Sequence, residues 1–190
     1  MARLLIVYGT VDGHTRRIAE FIAERARGYG HTPYVVDAAA SPVLESGDHW
    51  AGVIVCAPLH VRKHPREVTR FVRENLRVLQ HLPGALFSVS LSAAGSDVEG
   101  ARACADEFLA RTGWHPAMVR LVAGALKYRR YGPVKRRLMQ FIAWRNGGET
   151  DVRHDYVYTD WNRLSEDVED FLLEAVPVPA GMKPAVLISA

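Results

Sequence analysis

The chain has 190 residues, 48% of them hydrophobic and 24% charged, which suits one soluble domain with a buried core. Two cysteines, Cys56 and Cys104, exclude a disulfide framework or a cysteine metal cluster and point to a reducing compartment. No apolar run reaches the roughly 20 residues that cross a bilayer, no secretory leader is read at the N-terminus, and the net charge is only +3.

Strand-like and helix-like runs alternate along the chain. Arg3 to Tyr8 reads as a strand. His14 to Tyr29 reads as a helix, with Ile18, Ala19, Phe21, Ile22 and Ala26 on one face and Gly28 and Gly30 at its end. Thr32 to Asp37 is a short second strand, and Ala38 to Trp50 has room for a short helix. Ala51 to Ala57 is a buried strand centred on Val53, Ile54 and Val55. Pro65 to Leu79 reads as one helix, opened by proline, with Val68, Phe71, Val72 and Leu76 inward. Ala85 to Leu91 is a fourth strand, Val98 to Arg111 a helix, and Met118 to Leu126 a fifth strand. The last helix spans Asp160 to Ala175, with Trp161, Leu164, Val168, Phe171 and Leu172 in one stripe and Thr159 or Asp160 as its cap. Residues 1–176 form the expected domain, and the Pro-, Gly- and Ala-rich 177–190 a loosely ordered tail.

Residues 127–152 interrupt this order. Lys127, Arg129, Arg130, Lys135, Arg136, Arg137 and Arg145 give seven positive charges with no acidic residue between them, which leaves −4 for the rest of the chain. Such a segment suggests an anionic partner. Within it, Pro133 to Arg145 has helical spacing, with Val134, Leu138, Phe141 and Ile142 on one face and Lys135, Arg136 and Arg137 beside it. At about 20 Å this helix is too short to span a bilayer but suits an anionic membrane surface; packing on the domain is the competing reading. Tyr156 to Thr159 is a strand-like piece expected to resume the sheet edge.

Strand–helix alternation implies a parallel sheet with helices on both faces. Ligands then bind outside the carboxyl ends of the strands. The segment "GTVDGHT", Gly9 to Thr15, lies there, between the first strand and the first helix. It is either a turn capped by Thr10 or Asp12, or a phosphate cradle. A helix N-terminus offers unpaired N–H groups. Thr10, Thr15 and His14 would add donors, and Gly13 allows close approach. The segment lacks GxGxxG and the Walker lysine, which favours a mononucleotide phosphate. "APLHVRKHP", "SVSLSAA" and "AGALKYRRY" follow later strands at the same edge. The histidines lack a metal spacing, and no metal site is expected.

"YGTVDGHTRRIA" resembles the phosphate loop of flavodoxins. "AGALKYRRYGPVKRRLMQFI", "GGETDVRHDYVYTDW" and "FSVSL" resemble more specifically the flavodoxin-like, menaquinone-dependent protoporphyrinogen IX dehydrogenases, over about residues 3 to 173. The resemblance implies an α/β, flavodoxin-like, doubly wound five-stranded parallel sheet with a basic insertion before the last helix. It implies FMN, with Thr10, Asp12, Gly13, His14 and Thr15 at the phosphate. Pro58, Leu59, His60, Ser90, Leu91, Ser92, Ala93, Gly124, Ala125 and Leu126 would border the ring, which carries the chemistry without an assigned catalytic residue. Tyr128, Arg129, Arg130, Arg62 and His64 would meet protoporphyrinogen IX, ring against macrocycle and cation against propionate. Val61, Arg62 and Lys63 stand where the family often has an aromatic. Menaquinone or ubiquinone would accept the electrons, and residues 133–145 would hold the protein peripherally on the cytoplasmic face of the membrane. A flavodoxin-type carrier and an NAD(P)H:quinone reductase are the alternatives; the basic insertion speaks against an acidic docking face. No nucleic-acid partner is expected, and the sequence leaves both monomer and homo-oligomer open.

Overall fold

The computed structural model describes residues 2–45, 47–95, 97–133, 136–137, 140–141 and 149–176. The expected tail, 177–190, and most of the expected helix 133–145 lie outside the described residues. Five parallel strands form one sheet: β1 (Arg3–Tyr8), β2 (Thr32–Asp37), β3 (Trp50–Pro58), β4 (Gly84–Ser90) and β5 (Met118–Ala123). Their order is β2-β1-β3-β4-β5, the flavodoxin-like winding. β4 is buried along its whole length, and β1 and β3 nearly so. These strands therefore read as continuous Leu, Val and Ile runs rather than alternating ones, because helices cover both faces.

The helices are α1 (His14–Gly28), α2 (Arg66–Glu74), α3 (Leu76–Leu79), α4 (Val98–Thr112) and α5 (Trp161–Glu174). Ile18, Ile22 and Ala26 of α1 and Leu164, Val168 and Phe171 of α5 pack on one face of the sheet. Val68, Phe71 and Val72 of α2 and Ala105 and Phe108 of α4 pack on the other. Asp160 caps α5, accepting the Asn162 and Arg163 N–H groups at 3.0 Å.

Three elements differ from expectation. The helix expected over Pro65 to Leu79 breaks at Asn75. This side chain is buried; its amide donates to Pro42 O at 3.0 Å and Phe71 O at 2.9 Å, and its oxygen accepts Leu44 N–H at 2.7 Å. It serves the loop before β3 rather than continuing a helical stripe. The strand expected to run to Leu126 ends at Ala123. Gly124 donates to Ser90 O at 2.9 Å and accepts the Tyr158 N–H at 3.0 Å, so the chain leaves the sheet there. Residues Ala125–Leu126 (β6) pair antiparallel with Tyr156–Val157 (β7) as a separate ribbon. Tyr156 to Thr159 therefore does not rejoin the main sheet. Leu126, Tyr128 and Tyr131 form a small core of their own against Leu91, Val152, Tyr156 and Tyr158. Among the described residues no helix is long and apolar enough to cross a membrane.

Candidate functional site

The loops after β1, β3, β4 and β5 meet at one edge of the sheet, around a cleft of about 380 Å³. That is within the range of small-molecule sites. Val11, Asp12, His14 and Thr15 form one wall. Pro58 to Arg62 form a second, Val89 to Ser92 a third, and Gly124, Ala125 and Tyr131 close the fourth. Beyond Ser92 the cleft continues along Asp97, Gly100, Ala101 and Cys104 of α4 and its cap.

The phosphate loop is shaped by Gly13, which takes φ 81°, the left-handed region that glycine enters without strain. Gly13 itself is the N-cap of α1, and no side chain caps the helix. The turn-cap reading of Thr10 and Asp12 is therefore replaced: Thr10 Oγ1 accepts the Gly13 N–H at 3.0 Å one residue too early to cap. The first-turn N–H groups of α1 are left for a ligand. At Gly9 a Cβ would stand 2.5 Å from Val68 Cγ2, so glycine lets β1 run against α2 just before the loop.

Two side chains of this loop face the fold rather than a phosphate. Thr159 Oγ1 donates to Ala123 O at 2.6 Å and so accepts from His14 Nε2 at 2.7 Å. The donor expected of His14 is spent there, and Nδ1 is left as a buried acceptor without a partner. An acceptor matches a ligand hydroxyl, not a phosphate oxygen. Burial, then the charges of Lys127 and Arg17, lower the His14 pKa to about 4, so the ring is neutral. The Asp12 carboxylate hydrogen-bonds the Tyr131 hydroxyl, which also accepts the Lys127 N–H at 3.2 Å. Burial first, and this carboxylate after it, push Tyr131 up to about 12. The Tyr131 hydroxyl thus holds the Asp12 carboxylate at the wall of the cleft.

The loop after β3 is a tight turn. His60 and Lys63 exchange two backbone hydrogen bonds of 2.9 Å, and Val61 and Arg62 between them take φ 46° and 60°. For a β-branched residue this is a strained conformation, costing about 1–2 kcal/mol. It puts Val61, 94% exposed, at the rim. Such a turn normally carries Asn or Gly, which is why its geometry was not evident from "HVRK".

The structure brings Asp12, His14, Thr15, Pro58, Leu59, His60, Arg62, Ser90, Leu91, Ser92, Gly124 and Ala125 to the cleft. Thr10 and Gly13 shape the loop behind it, and Ala93 donates its N–H to Ser90 Oγ at 3.1 Å. Leu126 and Tyr128 do not line it. Tyr128 is fully buried in the ribbon's core and donates to Glu149 O at 2.8 Å; Tyr131, three residues on, is the tyrosine at the cleft. His64 is buried as well. Its Nδ1 lies 3.0 Å from Pro58 O and its ring meets Phe108 edge-on, so it braces the β3 loop, and burial lowers its pKa. The Arg129 N–H donates to Asp155 at 3.0 Å, and its side chain is exposed; the Arg130 side chain lies outside the described residues. Sequence reasoning missed Tyr131, Asp97 and the α4 face. The signal for the last two was present: α4 follows β4 and must start at the ligand edge. Cys56 is wholly buried and its pKa raised by burial. No group of metal-ligating side chains occurs among the described residues.

The uncapped helix, the glycine turn and the hydroxyl-matching acceptor fit a flavin mononucleotide, with apolar walls for its ring. The fold and cleft define a protein of the flavodoxin class, and the family model described as flavodoxin domain matches residues 5–153. Among solved structures, oxidised flavodoxin 1 of Bacillus cereus superposes with a TM-score of 0.55 at 14% identity, over 91% of this chain and 99% of that one. A flavodoxin of Streptococcus pneumoniae TIGR4 gives 0.54 at 15%, over 92% and 100%. The protoporphyrinogen IX dehydrogenase [quinone] of Escherichia coli K12 is 31% identical over 86% of this chain and 91% of its own. The Leishmania major protein of the same name is 32% identical over 93% and 78%. The chain thus belongs to the flavodoxin-fold family that contains these quinone-linked protoporphyrinogen IX dehydrogenases.

Proposed function

We propose that this protein is an FMN-dependent oxidoreductase that converts protoporphyrinogen IX to protoporphyrin IX and passes the electrons to a respiratory quinone, menaquinone or ubiquinone. The observation that carries the reading is the make-up of the cleft: an uncapped helix end at one side, apolar loops in the middle and Gly100, Ala101 and Cys104 of α4 along its wall. The names of the relatives at 31% and 32% identity support the substrate and the acceptor. FMN supplies the two-electron chemistry when bound. The chain's part is to bind and orient. The α1 amides and Thr15 would hold the phosphate, and His14, neutral at physiological pH, contributes no charge to its binding. Pro58 to Val61 and Leu91 to Ala93 would enclose the ring, and Arg62 would meet a propionate at the rim.

The quinone reading brings the protein to a bilayer surface, on the cytoplasmic side, through residues 133–145. The described part supports this in one place and narrows it in another. Arg137 and Phe141, one helical turn apart, are both exposed, whereas Arg136 is folded inward onto Tyr128 O and Tyr131 O at 3.2 Å. Arg136 therefore anchors the insertion instead of flanking its outer face.

The test is anaerobic. FMN-loaded protein is mixed with protoporphyrinogen IX and a menaquinone analogue, and porphyrin fluorescence is followed. Quinone-dependent fluorescence is expected. Flavin binding without any porphyrin would overturn the substrate and leave an electron carrier or an NAD(P)H:quinone reductase. Flotation with anionic and with neutral vesicles checks the surface reading, with binding expected only to the anionic ones.

A further inference from the structure

Arg62 is the only lysine or arginine among the described residues lining the cleft, and it is already engaged. Asp97 divides its carboxylate between two tasks. Oδ1 accepts the Gly100 N–H at 3.1 Å as the cap of α4, and Oδ2 lies 3.6 Å from Arg62 Nη1. The pair joins the loop after β3 to the start of α4, and both residues line the cleft. Both side chains are well exposed, 67% and 52%, so the pair is weak and exchangeable. The Arg62 backbone, by contrast, is fixed by the His60–Lys63 turn.

We propose that Asp97 is a placeholder for the substrate at the specificity-determining Arg62: its second carboxylate oxygen holds the Arg62 guanidinium at the mouth of the cleft and yields it to a carboxylate of the substrate. This rests on the substrate reading above. Protoporphyrinogen IX brings propionates that can take the place of Asp97, so the guanidinium exchanges one carboxylate for another and is never left unpaired. A flat neutral molecule, a quinone ring included, has nothing to exchange and leaves the pair closed. The cation thus favours an acidic macrocycle over an uncharged one, and Asp97 keeps it in place at some cost in affinity for the acid.

Two substitutions separate charge from structure. Arg62→Gly removes the cation while suiting the left-handed turn. Asp97→Asn keeps a capping oxygen for Gly100 while removing the competing charge and turning an amide toward Arg62. FMN-loaded wild type and variants are titrated in detergent with protoporphyrin IX and with its dimethyl ester, by quenching of tryptophan fluorescence. Arg62→Gly is expected to weaken binding of the acid about tenfold. Asp97→Asn is expected to tighten it about two- to fivefold. The ester should be unmoved in both. In turnover, the change should fall on KM for porphyrinogen rather than on kcat. Weaker binding of the acid by Asp97→Asn, or equal shifts for acid and ester, overturns the placeholder. Failure of the wild type to oxidise porphyrinogen overturns the substrate reading instead, while the comparison of acid with ester still decides the role of Asp97.

Discussion

Burial holds His14 neutral, with its pKa lowered to about 4, and the cost of charging it falls on the folded state. The unfolded imidazole titrates near 6.5. Between about pH 6.5 and 4 the unfolded chain therefore binds a proton that the fold does not. Stability is fully present above pH 6.5 and is lost as the pH falls toward 4, by about 3 kcal/mol for this group. His31 and His64 are shifted the same way by burial and add to the loss. His14→Gln keeps a donor for Thr159 and removes the titration. Urea midpoints measured across this range should give a flatter acid limb for the variant than for the wild type. The same residue shows what a motif conceals. A histidine in "DGHT" reads as a phosphate donor, yet its donor serves Thr159, 145 positions on, a distance no local pattern reports.

The phosphate loop and the insertion behave as coupled elements. Asp12 is tied to Tyr131 near the start of the insertion, and His14 to Thr159 just past its end. Tyr131→Phe would free the Asp12 carboxylate to face an anion. FMN affinity, read by recovery of flavin fluorescence, is expected to fall about three- to tenfold with little change in the melting temperature of the apoprotein. The element periods themselves were legible in the chain. The 3.6-residue spacing of α1, α4 and α5 and the apolar runs of β1, β3 and β4 come from covering both faces of a sheet. The break at Asn75 was not, because its cause is three hydrogen bonds, two of them to Pro42 and Leu44, far away in sequence. Nor was the departure of the chain at Gly124. Apart from Arg120, Met118 to Leu126 is apolar, and whether its last residues pair with β4 or with a later ribbon is decided by partners rather than by composition.

At the scale of the molecule, the ligand edge is built from loops that one cofactor would join. A ligand that contacts the loops after β1, β3 and β4 and does not bind the unfolded chain stabilises by mass action, about 2.7 kcal/mol at a hundredfold excess over Kd. For a chain of this length that is a rise of about 5–10 °C in melting temperature. Thermal unfolding with FMN, against riboflavin as a control without the phosphate, should show the larger rise for FMN if the α1 amides hold the phosphate as proposed. Equal rises would mean that the helix end does not hold the phosphate. The sequence by itself determined the winding of the sheet and the family, since these follow from periodicity, strand–helix alternation and contiguous motifs. The tertiary structure alone decided which side chains reach the cleft. Tyr131 rather than Tyr128 lines it, His64 braces a loop behind it, and Asp97 meets Arg62 across its mouth. Residue type fixes what chemistry a side chain can do. Where it points depends on burial and on hydrogen-bond partners that only the folded chain brings within reach.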